Sequence, residues 1–178
     1  MGMIIVDGYN VIHAWPALKR TLERRGLEDA RRQLVTMLAD YAAQTPTSVT
    51  VVFDAHGREP AGEPAEVIDG VTVVFGTRTA SADHVIERLA GDAARRGEAG
   101  GVTVATGDRL QRALVGAMGI GTISASALEI EVSRVRADMA NSSTRRQREA
   151  GSARRVESHL DAETRRRLEE IRRGGQTL

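Results

Sequence analysis

Three observations predict an α/β fold of three layers, with a mostly parallel central sheet covered by helices on both faces. Several short runs are nearly continuous in Val, Ile and other apolar residues, broken at most by a Thr, as strands buried on both faces are. Between them lie segments whose apolar residues recur every three or four positions, the signature of amphipathic helices. The two kinds of segment alternate along the chain, which is the pattern of parallel strands joined by helical crossovers.

Taken in order, Met3–Val6 is an apolar run that ends at Asp7-Gly8 and reads as a buried strand running into a loop. Leu27, Ala30, Leu34, Leu38 and Tyr41 predict a helix over about 27–44. Val49–Phe53 is a second strand stopped by Asp54. Residues 57–70, rich in Gly, Pro and Glu, read as a loop, and Val71–Phe75 as a third strand. Ser81 can cap a helix bearing Val85, Ile86, Leu89 and Ala93. Val102–Ala105 is a fourth strand, followed by Thr106-Gly107-Asp108 and a short helix with Leu110, Ala113, Leu114 and Ala117 as its apolar residues. Ile120–Ile123 suggests a fifth strand. Ser126 with Glu129 offers a capping box for a helix striped by Leu128, Val132, Val135 and Met139. Residues 1–140 thus form one domain; Asn141–Ser152 is a polar, Arg-rich linker, and Val156, Leu160, Thr164, Leu168 and Ile171 predict an amphipathic C-terminal helix.

Composition narrows the function. At 178 residues the chain has the length of one domain with a terminal extension. With 41% hydrophobic and 28% charged residues it can bury a core, and with only 3% aromatics that core is aliphatic. The absence of Cys excludes disulfide scaffolds, thiolate zinc sites and thiol nucleophiles. No apolar run approaches the roughly 20 residues of a membrane span. Met1–Val6 lacks a basic flank, so no signal peptide is expected and a cytoplasmic location is. The net charge of +1 conceals an asymmetry: residues 141–178 hold ten Arg and six acids, leaving 15 basic and 18 acidic residues before them.

The acids before residue 141 carry the chemistry. Asp7, Asp54 and Asp108 each follow a strand, and Asp83 opens the helix after the third. In a parallel sheet those positions share the carboxyl edge, where such folds bind ligands. Four carboxylates without matching cations call for a hard divalent ion, Mg²⁺ or Mn²⁺, which can activate water and stabilise a leaving oxygen in phosphodiester hydrolysis. Each has a plainer reading as well: Asp108 as a helix cap three residues before Gln111, Asp83 as compensation of a helix dipole, Asp54 and Asp7-Gly8 as turn residues. Asn10 can orient a phosphate or a metal-bound water, or make an Asx turn. Tyr9 and Trp15 can stack a base or pack the loop. His13, His56, His84 and His159 are scattered without ligand spacing. No Gly-x-x-x-x-Gly-Lys-Ser/Thr, dinucleotide fingerprint or Gly-x-Ser-x-Gly elbow is present.

These residues also resemble a known family. Ile4-Ile5-Val6-Asp7-Gly8-Tyr9-Asn10-Val11-Ile12, followed by Ala14-Trp15-Pro16, is similar to the opening of the bacterial, YacP-like branch of the NYN-domain ribonucleases, relatives of the PIN nucleases. Val51–His56, Thr79–Asp83, Val104–Asp108, the Ser124–Glu131 helix and Arg172-Arg173-Gly174 follow in that family's order, so the resemblance spans essentially the whole chain. It implies a PIN-like α/β/α fold and metal-dependent endonucleolytic cleavage of RNA. It assigns Asp7, Asp83 and Asp108 as the metal-binding acids, supported by Asp54 and Asn10, with Mg²⁺ or Mn²⁺ as the fitting cofactor. No His pair stands ready for metal-free cleavage through the 2′-hydroxyl, so 5′-phosphate products are expected. One departure is Gly107, where the family usually has Ser; Thr106 stands beside it to supply a hydroxyl. RNA is the expected partner, presented by a ribosome or another assembly, with no membrane. Arg78, Arg109 and the tail residues Arg145, Arg146, Arg148, Arg154 and Arg155 are candidates for attracting it. Competing readings are a catalytically silent RNA-binding module, a toxin-type PIN nuclease acting on tRNA or rRNA, and a DNA structure-specific nuclease.

Overall fold

The structure is a computed structural model that describes residues 2–54, 65–77, 79–142, 164, 166 and 167. The chain divides into two compact units, Met1–Arg136 and Ala137–Leu178. The expected linker and C-terminal helix lie almost wholly outside the described residues, as do His56, His159 and Arg78. Of the second unit, residues 137–142, 164, 166 and 167 are helical. Among the described residues no helix is long and apolar enough to cross a membrane.

The first unit opens with β1 (Gly2–Asp7), α1 (Gly8–Ala14), α2 (Pro16–Arg25), α3 (Leu27–Gln44) and β2 (Thr47–Phe53). Then come β3 (Ala65–Ile68), β4 (Val71–Phe75), α4 (Ala82–Arg95), β5 (Val102–Ala105), α5 (Arg109–Ala117) and β6 (Gly121–Ile123). Helix α6 closes the unit, with residues 125–136 in it. The sheet has six strands in the order β3-β4-β2-β1-β5-β6. Every pairing is parallel except β3 with β4.

Strand alternation assigns the two faces. Ile4, Val6, Val49, Val51, Phe53, Val71, Val73 and Phe75 point to one side and pack with Val11, Trp15, Leu18, Leu34, Leu38 and Leu128 from α1, α2, α3 and α6. Ile5, Val52, Val74, Val102 and Val104 point to the other and meet Val85, Ile86, Ala90 and Val115 of α4 and α5. The chain therefore leaves β1 toward one face and β5, its neighbour, toward the other. That reversal opens a crevice at the carboxyl ends of β1 and β5, the usual ligand position in such sheets.

Four expectations change. First, α1 begins at Gly8 directly, where a loop was expected, because the Asp7 carboxylate accepts the Asn10 amide at 3.1 Å and caps the helix. Second, residues 57–70 are not all loop. Ala65–Ile68 pairs antiparallel with β4 through a two-residue turn, Asp69 (φ 49°) and Gly70 (φ 83°), whose positive angles suit a tight hairpin. Third, α5 buries Gln111 and Val115, and Leu110 and Leu114 face outward. Fourth, the hydroxyl that caps α6 belongs to Ser124, accepting the Ala127 amide at 3.1 Å, and Ser126 is exposed in the first turn.

Candidate active site

Asp7 is the centre of the carboxyl edge. It ends the central strand and is only 9% exposed. Burial pushes its carboxyl above the ordinary value, and the neighbouring charges of Asp83 and Asp54 push the same way. The Asn10 amide and the Thr106 hydroxyl, which donates to Asp7 Oδ2 at 3.4 Å, oppose that rise. The ends of β1 and β2 and the start of α4 thus bring the carboxylates of Asp7, Asp54 and Asp83 within electrostatic reach of one another.

Asp108 is tied to Asp7 through its backbone, by way of Thr106, and its carboxylate is exposed. The fully buried Thr106 hydroxyl accepts the Asp108 amide at 3.1 Å while donating to Asp7. Asp108 also does what its plainer reading expects: Oδ1 accepts the Leu110 amide at 2.7 Å and the Gln111 amide at 3.3 Å, capping α5. Asp54 Oδ1 accepts the Ala82 amide at 2.7 Å, tying the end of β2 to the start of α4. Asp83, in the first turn of α4, is exposed. Among the described residues none of these four acids forms an ion pair with Lys or Arg, and no group of three or more His, Asp or Glu forms a ready metal cage.

Asn10 bridges the crevice. Its Oδ1 accepts the Gly107 amide at 2.7 Å, joining α1 to the turn after β5. A Cβ at position 107 would lie 2.7 Å from that oxygen, so a glycine is what lets the clamp close. Gly8 is required for a similar reason, since a Cβ there would stand 2.3 Å from the Phe53 ring. Arg109 is exposed at the first position of α5. Trp15 is fully buried and donates through Nε1 to the Ala125 carbonyl at 2.8 Å, so it packs α1 and α2 against α6. Tyr9 is half-buried, edge-on to Phe53 at 6.0 Å.

Two residues were not singled out by sequence reading. Arg31 is 7% exposed and stands over the rings of Tyr9, Phe53 and Phe75, 5.3–5.7 Å from their centroids. It donates to the Tyr9 hydroxyl and, at 3.4 Å, to the Asp54 carbonyl, and pairs with Glu28 at 3.4 Å. Its signal is positional, for it lies four residues after Leu27 and three before Leu34, inside the buried stripe of α3. Gln111 is 4% exposed and donates from Nε2 to Asp83 Oδ1 at 2.7 Å, while its Oε1 is buried without a partner among the described residues. No pattern in the sequence distinguishes it, because a Gln in the first turn of a helix is ordinarily solvated.

Known proteins share both the sequence and the fold. Residues 4–173 match the YacP-like NYN domain. Over 130 residues, 73% of each chain, the sequence is 37% identical to the Bacillus subtilis (strain 168) protein named uncharacterized protein YacP. The crystal structure of Rae1 (YacP) from Bacillus subtilis is similar with a TM-score of 0.71 and 32% identity, covering 98% of this chain and 96% of that one. A mutant form of the same protein gives 0.65 and 33%, covering 79% and 80%. The chain belongs to the YacP-like NYN domain family, a nuclease-type, RNA-related class of α/β proteins.

Proposed function

We propose that the chain is a metal-dependent endoribonuclease, acting in RNA decay or processing, with its site at the carboxyl edge of the sheet. The observation that carries this reading is the gathering of Asp54 and Asp83 around Asp7, whose carboxyl is held above its ordinary value by burial first and by those two charges after it, with no cationic side chain paired to any of them among the described residues. Such a group is unfavourable for the fold alone and is relieved by a cation.

The donor set fits Mg²⁺ or Mn²⁺: every candidate is a hard oxygen, and the unpartnered buried Oε1 of Gln111 adds another beside Asp83. Mg²⁺ keeps several of its waters and needs only one or two carboxylates, which is compatible with the lack of a ready three-ligand cage among the described residues. Asp7, Asp83 and Asp108 would hold the ion, with Asp54 supporting. When bound it supplies Lewis-acid polarisation of the phosphate and charge relief at the departing oxygen.

The chain's own groups do the remaining work. Asn10, with Oδ1 fixed by Gly107, offers its NH₂ to a phosphate oxygen. Thr106 links the Asp7 carboxylate to the Asp108 backbone amide and so anchors the turn that carries Asp108. Arg109 supplies positive charge at the rim, and Arg78 is a second candidate for that role. Tyr9 offers a ring face at the mouth. In the reaction, water oxygen bonds to phosphorus, the P–O3′ bond breaks, and a proton passes to O3′, leaving a 5′-phosphate and a 3′-hydroxyl.

The test is cleavage of a labelled mixed RNA pool, with matched DNA in parallel, by wild type and Asp7→Asn in Mg²⁺, Mn²⁺ or EDTA. RNA cutting that needs the cation and falls at least about 100-fold in the mutant is expected. Cutting that survives both EDTA and Asp7→Asn overturns the reading. RNA bound but uncut by either protein, with no cation taken up in calorimetry, assigns the chain as a binding module instead.

A further inference from the structure

A second charged feature lies outside the acidic edge. Helices α2 and α3, joined by the single residue Gly26 (φ 89°), form a groove of about 640 Å³ with part of α6. Its walls carry Arg20, Arg24 and Arg25 from α2, Arg32 from α3 and Arg136 from α6, against one acid, Asp29. Arg32 pairs with Asp29 at 3.0 Å and Arg136 with Asp40 at 3.2 Å. Among the described residues Arg20, Arg24 and Arg25 make no ion pair, and all three are exposed.

Folding does not account for this concentration. Arg20 and Arg24 stand one helical turn apart, where like charges weaken a helix. Neither contributes to the core, to which α2 gives only Leu18 as a fully buried residue. A row of guanidinium groups along an open furrow matches a chain of phosphates, each of which can be gripped by a two-pronged donor. Helix α3 borders both this groove and the residues around Asp54. Arg31 turns inward to the Asp54 carbonyl and Tyr9, and Arg32, the next residue of α3, turns outward into the groove.

We propose that the α2–α3 groove binds the phosphate backbone of a single-stranded RNA segment flanking the bond presented at the acidic edge. This rests on the endoribonuclease reading and adds a binding track to it. The track is independent of base identity, in keeping with a lining that holds no aromatic side chain.

The test uses the full chain in EDTA and a labelled single-stranded RNA, with binding followed by fluorescence anisotropy across a KCl series. Arg20→Ala/Arg24→Ala is compared with Arg95→Ala/Arg96→Ala, which removes the same charge from exposed, ion-paired positions at the far end of α4. The groove variant is expected to bind about tenfold more weakly at ~0.1 M salt. Its plot of log K against log [KCl] should be shallower by about 1.4, or ~0.7 for each phosphate that the protein no longer neutralises. The control variant should change little. Equal weakening in the two variants, or an unchanged slope in the groove variant, overturns the groove while leaving Asp7-dependent cleavage standing. Polyglutamate binding that falls in the groove variant while RNA binding does not would assign the groove to an acidic polypeptide and overturn it too. An unsubstituted chain with no affinity for RNA overturns both proposals.

Discussion

Asp7 ends β1, caps α1 and is pressed by Asp54 and Asp83, and these duties conflict at neutral pH. Its folded carboxyl titrates above the ordinary value of 3.8, so the native state holds the proton more tightly than the unfolded chain does. The stabilising contribution is therefore present below the ordinary value and is lost as pH rises through the raised one. Above that raised value the ionised group opposes folding. Asp7→Asn keeps an oxygen for the Asn10 amide and removes the charge, so it should melt at a higher temperature than wild type at neutral pH, the difference closing toward about pH 3. Scanning calorimetry at both pH values decides it; a mutant less stable at pH 7 would show that the charge is already compensated. Gly107 makes a second prediction at this scale. Its backbone does not adopt a positive φ, so Gly107→Ala should fold, yet the new methyl takes the place of Asn10 Oδ1. Cleavage should fall about tenfold, or about 1.4 kcal/mol in the barrier, with a melting point within about 2 °C of wild type. Full activity would mean that the Asn10 clamp plays no part in the reaction.

Among the elements, α3 and α6 show how a polar contact fixes a helix whose apolar stripe alone leaves freedom to slide. The buried Tyr41 hydroxyl of α3 donates to Glu131 Oε1 of α6 at 2.7 Å, and burial beside that carboxylate lifts the phenol to about 12. Its stabilising effect is complete below about pH 10 and drains away as pH rises toward 12. Tyr41→Phe should lose about 1–2 kcal/mol near neutral pH and show a flatter alkaline limb between those limits, read by denaturant melts along a pH series. An identical alkaline limb in both proteins would place the carboxylate elsewhere in solution. The same elements show how much a sequence can disclose. Buried strands such as Val102–Ala105 and the long stripe of α3 are legible because every position agrees with one period. Helix α2 is obscure because it fully buries only Leu18, although Pro16 at its first turn is a start signal. β3 is obscure because all four residues are exposed, leaving only the Asp69-Gly70 turn to announce it. In α5 hydropathy favours Leu110 and Leu114 as the inner face; Gln111 takes that place and reaches Asp83, a preference that only the assembled sheet creates. The candidate acids stand out by their recurrence after strands, whereas Arg31 and Gln111 acquire meaning only through partners distant in sequence.

For the folded first unit as a whole, the decisive quantity is the charge gathered at one edge of the sheet, since the proposed chemistry and the stability of the fold both depend on it. A cation that binds the native edge and not the unfolded chain stabilises the fold by mass action, by about 2.7 kcal/mol at a hundred times its dissociation constant. For a chain of this size that is a rise of about 5–10 °C in melting temperature. Mg²⁺ should therefore raise the midpoint of wild type in a dose-dependent, EDTA-reversible way, and Asp7→Asn should respond far less, because the mutation removes both a ligand and the repulsion that the ion relieves. The two proteins also begin from different midpoints, so the prediction has an internal check: Mg²⁺ should bring wild type up toward, or past, the level that Asp7→Asn reaches without it. Equal shifts in the two would place the ion elsewhere on the molecule. No shift in wild type at millimolar Mg²⁺ is also the outcome for an edge that binds the cation only together with RNA, whose phosphates would then have to complete its coordination. Repeating the titration with a non-cleavable RNA analogue separates that case from a site that binds no cation at all.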